Sequence, residues 1–237
     1  MDINNKFLDH AYGYDDVSIV PGEFTINPEL ADTKFKIQEL EFDIPILASA
    51  MDAVVSPEFA INFNSKGGLA VLNLEGIYTK YNDYTEPLES VISAKENEST
   101  SIMQKVYSKD IDENLVAERV KEIKEKSSIC AVSVTPANTK RLSPIAIEAG
   151  ADIIVVQSTV TTPRHFSKSI TGLNMSDLKK QIKIPLIVGN CVSYNVALEF
   201  MNTGVDGILV GVGPGAACTT REVTGLGVPQ VTATMDC

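Results

Sequence analysis

Ala149-Gly-Ala-Asp-Ile-Ile-Val-Val156 nearly repeats in pattern as Thr203-Gly-Val-Asp-Gly-Ile-Leu-Val210. In each copy a glycine is placed to end a helix in the left-handed conformation, and an apolar, mostly β-branched run begins within three residues. A strand that is apolar throughout has no face to give to water, so it belongs in a parallel sheet covered on both sides. Working outward, the same rhythm predicts strands over residues 46–49, 69–74, 129–134, 152–157, 185–189 and 207–211. Helices are predicted over 56–66, 113–126, 137–149, 176–182 and 193–202. Ser56-Pro57-Glu58 supplies an N-cap, a first-turn proline and an acid for the first of them, and Gly67-Gly68 stops it. Residues 113–126 carry Leu115, Val116, Val120 and Ile123 at helical spacing, with the charges of 118–126 on a solvated face. Residues 78–100 are polar and without clear period, and 101–107 reads as a short extra strand.

Open doubly wound sheets and closed barrels share this alternation. The barrel is favoured because no GxGxxG follows the first strand. Polar and glycine-bearing residues also gather just after strand ends, at Ser49-Ala-Met-Asp52, Gln157-Ser-Thr159, Gly189-Asn190 and 211–221, the end that carries the site in such barrels. The expected fold is therefore a (β/α)8 TIM barrel forming one domain over 1–237, with six of eight βα units present and the last two missing. The sequence stops at Thr234-Met-Asp-Cys237, which suggests a C-terminally truncated chain.

The 237 residues are 44% hydrophobic and 22% charged, and 20 basic against 31 acidic residues give a net charge of −11. That balance disfavours nucleic acid and anionic membrane as partners. Neither a signal sequence nor an apolar run of membrane-spanning length is evident. The four cysteines (Cys130, Cys191, Cys218, Cys237) and two histidines (His10, His165) show no zinc spacing. A soluble cytoplasmic protein with reduced thiols is expected.

Gly211-Val-Gly-Pro-Gly-Ala-Ala-Cys-Thr-Thr-Arg221 carries the chemistry. Glycines at 211, 213 and 215 admit positive φ and close approach of the backbone to a ligand. A cysteine in such a loop can be exposed, with its thiolate favoured by N–H dipoles and Arg221. By pattern alone, Cys218 is equally a nucleophile or a small cysteine buried in a turn. Cys130 reads as core, Cys191 as more core than site, and Cys237 carries no reading. Asp15 and Asp16 read as turn caps, and His165 as a loop residue on the surface or a gate for a ligand.

Gly213-Pro-Gly-Ala-Ala-Cys-Thr-Thr-Arg-Glu-Val-Thr-Gly-Leu-Gly-Val-Pro-Gln230 resembles the cysteine loop of the IMP dehydrogenase and GMP reductase family. Tyr14-Asp-Asp-Val-Ser-Ile-Val-Pro21, Pro45-Ile-Leu-Ala-Ser-Ala-Met-Asp52, Gly67-Gly-Leu-Ala-Val-Leu72, Gly150-Ala-Asp-Ile-Ile-Val-Val-Gln-Ser-Thr159 and Gly189-Asn190 are similar to further family motifs, in order along the chain. The resemblance implies a purine-nucleotide oxidoreductase (substrate IMP, XMP or GMP) in which Cys218 adds to C2 of the purine and Thr220 positions water or ammonia. It implies that Ser49, Met51, Ala216 and Cys218 contact the nucleotide, and that Gln157, Ser158, Thr159 and Asn190 face NAD or NADP. Carbonyls of Gly213, Gly215 and Cys218 would ligate a monovalent cation, K⁺, and the family's usual assembly is a homotetramer. Three positions depart from the family: Gln157 for an acid, Ala216 for a serine, Leu209 for a basic residue. The stretch between Leu74 and Ile129 leaves no room for the CBS module of longer members, so the compact, IMP dehydrogenase-related branch and the GMP reductases are the nearest patterns. IMP oxidation is the preferred reading, with GMP reduction and an inactive nucleotide-binding barrel piece as alternatives.

Overall fold

A computed structural model describes residues 9–164 and 173–237; the reading of His165 falls outside them. The molecule opens with an extended segment and an antiparallel hairpin, β1 (Phe35–Ile37) and β2 (Leu40–Phe42). A six-stranded sheet follows, built from β3 (Leu47–Ala48), β4 (Leu69–Asn73), β5 (Ala131–Val134), β6 (Ile153–Gln157), β7 (Leu186–Cys191) and β8 (Gly207–Val210). They pair in sequence order, every pair parallel. All six expected strands are present.

The helices between them are α1 (Pro57–Asn64), α2 (Thr85–Ile92), α3 (Glu96–Tyr107), α4 (Glu113–Lys126), α5 (Thr139–Glu148), α6 (Met175–Gln181) and α7 (Tyr194–Asn202), with α8 (Thr220–Thr224) and α9 (Gln230–Asp236) after the last strand. Ser56 caps α1 through a bond from the Phe59 N–H to its hydroxyl, and α4 covers the expected residues, buried along Leu115, Val116, Val120 and Ile123. The extra strand expected over 101–107 is instead the second half of α3. Ile102 and Val106, four apart, put one face of this helix against the core, and an ordered six-strand ladder leaves no place for a seventh strand there. No helix among the described residues is long and apolar enough to cross a membrane.

Alternation along each strand separates two cores. Ala70 and Leu72, Val132 and Val134, Ile154 and Val156, and Leu186 and Val188 face the helices. Leu69 and Val71, Ala131, Ile153 and Val155, and Ile187 face the other way, onto Ile37 and Phe42 of the hairpin. The hairpin and the residues of four neighbouring strands form one buried cluster, as a sheet curled around the hairpin would give, so the sheet is an arc of a barrel with the hairpin at one end. That end is the strand N-termini: Gln38 donates to the Asp206 carboxylate, just before β8, at 2.7 Å. The opposite rim holds the strand C-termini and the loops that follow them.

Candidate active site at the C-terminal rim

Three strand ends are tied together there. The Ser158 N–H donates to Gly189 O (3.0 Å) and the Asn190 N–H to Ser158 O (3.2 Å), joining the loop after β6 to the end of β7. Asn190 Nδ2 donates to Gly211 O at 3.0 Å, and the Gly211 N–H to Cys191 O at 2.9 Å, joining β7 to the cysteine loop. Gly189 has no room for a side chain, because a Cβ there would stand 2.5 Å from Leu209 Cβ. Leu209, one of the departures noted above, packs into the barrel interior. From β8 the chain turns through Gly211 (φ 135°) and Gly213 (φ 58°), values an L side chain resists. The loop is pinned on its far side by the Val228 N–H on Val212 O (3.0 Å) and by Gln230 Nε2 on Val210 O (3.0 Å). The stem of Arg221 lies across Gly227, where an added Cβ would be 2.2 Å from Arg221 Cγ.

Cys218 is exposed on this loop, with Sγ 3.2 Å from Thr220 Oγ1. The Thr220 hydroxyl, the Thr220 N–H and, more weakly, the Arg221 charge hold its thiol below the ordinary cysteine value. The other cysteines differ. Burial pushes Cys130 up to about 12, and burial with the adjacent Cys237 thiol does the same for Cys191. Both are core residues, as the sequence suggested. Cys237 packs against the same core, its thiol raised by burial. Reactivity requires thiolate and access together, and Cys218 combines exposure with a lowered thiol.

The expected cofactor-side residues sit at the same rim with different freedom. Ser158 Oγ is occupied by Val160 O and Thr161 Oγ1, each at 2.8 Å, and Asn190 has spent one amide hydrogen on Gly211. The side chains of Gln157 and Thr159 make no hydrogen bond among the described residues. Ser49 and Met51 are exposed at the end of β3, at the other edge of the sheet, and Ala216 is exposed in the cysteine loop. Among the described residues no hydrogen bond links the 49–52 loop to the cysteine loop. Gly215 O accepts the Cys218 N–H at 3.1 Å, leaving its second lone pair. No group of three or more His, Cys, Asp or Glu that could hold a metal ion occurs among the described residues. Asp16 caps the N-terminal turn through the Gly13 N–H, as expected of an acid there.

Sequence reasoning missed what holds the 49–52 loop. Asp52 accepts from three elements distant in sequence, and only the glycine at 76, which makes room for its carboxylate, hinted at it.

A curled parallel sheet with an exposed cysteine, its thiol lowered by Thr220, on the loop after its last strand defines an α/β protein of the half-barrel class. The model of the IMP dehydrogenase / GMP reductase domain matches residues 11–237, and the chain belongs to that family. An uncharacterized oxidoreductase of Mycolicibacterium smegmatis is 34% identical over 95% of this chain and 62% of its own length. An inosine-5'-monophosphate dehydrogenase of Borreliella burgdorferi is 29% identical over 98% of this chain and 61% of its own. The crystal structure of an IMP dehydrogenase/GMP reductase-like protein from Corynebacterium glutamicum superposes with a TM-score of 0.89, at 33% identity, over 97% of this chain and 61% of that one. The chain thus spans about three-fifths of the length of the relatives it matches.

Proposed function

We propose that the protein carrying this chain is a purine-nucleotide oxidoreductase that oxidises IMP to XMP through a covalent adduct on Cys218. The observation that carries the reading is the exposed Cys218 thiol, 3.2 Å from the Thr220 hydroxyl and favoured as thiolate by it. The thiolate adds to C2 of the hypoxanthine ring, and C2 then gives up its hydrogen as hydride. Water attacks the resulting thioimidate and releases XMP and the free thiol. Thr220 is placed to orient that water, since its oxygen already lies within reach of sulfur. Ser49 and Met51 hold the nucleotide from the β3 side, and the backbone at Ala216 meets its phosphate.

A nicotinamide cofactor, NAD or NADP, would supply the hydride acceptor when bound. The rim fits such a group: Gln157 and Thr159 offer a neutral amide and hydroxyl, beside Ser158 and Asn190, whose positions the ties between β6, β7 and Gly211 fix. The carbonyls of Gly213, Gly215 and Cys218 would supply neutral oxygens to a monovalent cation, K⁺, which would stiffen the loop without adding a charged ligand.

GMP reduction, releasing ammonia through the same adduct, is the second reading. It is supported by the compact connection from β4 to β5. Assays with IMP plus NAD⁺, and separately GMP plus NADPH, test the choice in the full protein. Turnover of GMP alone overturns the first reading in favour of the second; turnover of neither overturns both.

A further inference from the structure

Asp52 closes the Ser49-Ala-Met-Asp52 loop. Its carboxylate accepts the Ile77 N–H at 2.7 Å, the Tyr107 hydroxyl at 2.7 Å and Asn73 Nδ2 at 3.3 Å. Its own carbonyl accepts the Tyr78 hydroxyl at 3.2 Å. The donors lie between the end of β4 and the end of α3, and none belongs to the loop they hold. Gly76 makes the approach possible, since a Cβ there would fall 1.9 Å from Asp52 Oδ1. Tyr78 is itself anchored, its carbonyl accepting Arg119 Nε of α4 at 3.0 Å.

The loop transmits this grip. The Met51 N–H donates to Ser49 O and the Val54 N–H to Met51 O, each at 2.8 Å, so a fixed Asp52 leaves Met51 little freedom. Tyr107 is 41% exposed at the C-terminus of α3, yet its hydroxyl reaches inward to the carboxylate. Burial of the hydroxyl and the adjacent carboxylate push the phenol far above its ordinary value, so it remains a donor at working pH.

We propose that Asp52 is the positioning residue of the nucleotide-side loop and that Tyr107 is its latch, so that α3, which lies outside the barrel sheet, sets how tightly the purine nucleotide is held. The proposal rests on Ser49 and Met51 contacting the nucleotide. Each of the two residues acts through the loop rather than on the substrate. A merely fold-supporting pair would alter thermal stability and leave nucleotide affinity alone.

The test compares wild type, Y107F, D52A and D52N in the full protein, titrating IMP and GMP separately by calorimetry without cofactor and recording thermal midpoints and steady-state constants. Loss of the Tyr107 hydroxyl is expected to weaken nucleotide binding roughly five- to tenfold, about the net worth of one ordinary hydrogen bond, because it acts through the loop and not on the nucleotide. KM for the nucleotide rises with it, while KM for the nicotinamide cofactor and the midpoint hold. D52A loses more. D52N falls between wild type and D52A, because its amide oxygen still accepts from Ile77 and Tyr107. Unchanged nucleotide affinity in Y107F overturns the proposal, as does an equal loss of cofactor affinity and midpoint; Y107F decides alone if D52A does not fold. Wild-type protein that binds neither IMP nor GMP overturns the reading of the site and this proposal together. Wild-type binding with unaffected variants overturns the proposal only.

Discussion

Asp152 and Asp206 perform the same task at two places in the barrel. Asp152 accepts the Cys130 N–H at 2.7 Å and the Lys124 ammonium at 3.0 Å; Asp206 accepts the Leu186 N–H at 2.7 Å and the Lys179 ammonium at 2.5 Å. Each aspartate N–H in turn donates to the carbonyl of that same neighbour, both at 2.8 Å. The near-repeat in the sequence is thus a repeated joint: a carboxylate before one strand locks the start of the strand preceding it, with a lysine from the helix before that strand.

The Asp206 joint makes stability depend on pH in the acid range. Burial raises this carboxyl, but the Gln38 amide, the Lys179 ammonium and the Leu186 N–H outweigh it and leave the group below the ordinary aspartate value of 3.8. A group depressed in the folded state stabilises fully above its unfolded value and loses that contribution as pH falls through the folded one. Asp206→Asn should therefore cost about 2 kcal/mol near neutrality. It should also flatten the acid limb of stability measured by denaturant melts; an acid limb as steep as wild type refutes the assignment.

Ser143 offers a change of opposite sign. It is buried in α5 beside Pro144, and its hydroxyl has no hydrogen-bond partner among the described residues. A buried unpaired hydroxyl costs more than the methyl that would replace it. Ser143→Ala is expected to raise stability by about 1 kcal/mol, read as a higher denaturant midpoint at unchanged slope. A lower midpoint would mean the hydroxyl has a partner in solution.

What the sequence disclosed follows from range. The parallel strands were legible because a helix-stopping glycine and an apolar run lie side by side, as at Gly150 and Gly204 with φ of 107° and 81°. The β1–β2 hairpin was not, because its turn uses Gln38 at φ 51° where Asn or Gly would announce it. Gln38 is held there from outside, by Asp206, a partner 168 residues away. Helix α3 misled for a related reason: Ile102, Val106 and Tyr107 find their roles only against α2, the core and Asp52. At the site, the Cys218 loop is contiguous and could be read directly, including Thr220. The ties through Asn190 and Asp52 join residues from different strand ends, which only the closed arc brings together.

In the proposed reaction, Cys218 is the residue on which turnover depends most directly. Cys218→Ala removes the nucleophile without adding bulk, on a loop where the side chain is exposed. Turnover is expected to fall below detection while calorimetric binding of the nucleotide survives within a few-fold. Residual turnover close to wild type would place the covalent chemistry elsewhere, and loss of binding would make Cys218 a structural residue of the loop.

The state of that cysteine is itself measurable. The Thr220 hydroxyl is the largest influence lowering its thiol, followed by the Thr220 N–H, with Arg221 a smaller one. A lowered value means that thiolate persists to lower pH, so alkylation of Cys218 by iodoacetamide should reach half its limiting rate below the ~8.5 of a free thiol. Cys130 and Cys191, raised to about 12, should stay unlabelled over the same range, which mass spectrometry of the peptides can verify. Thr220→Val keeps the shape and the backbone N–H but removes the hydroxyl. It should move the midpoint upward, and should reduce kcat more than it reduces alkylation at high pH, because in the proposed reaction the hydroxyl also orients the attacking water. If the midpoint of Thr220→Val matches wild type, the hydroxyl does not stabilise the thiolate, and the 3.2 Å contact is only packing.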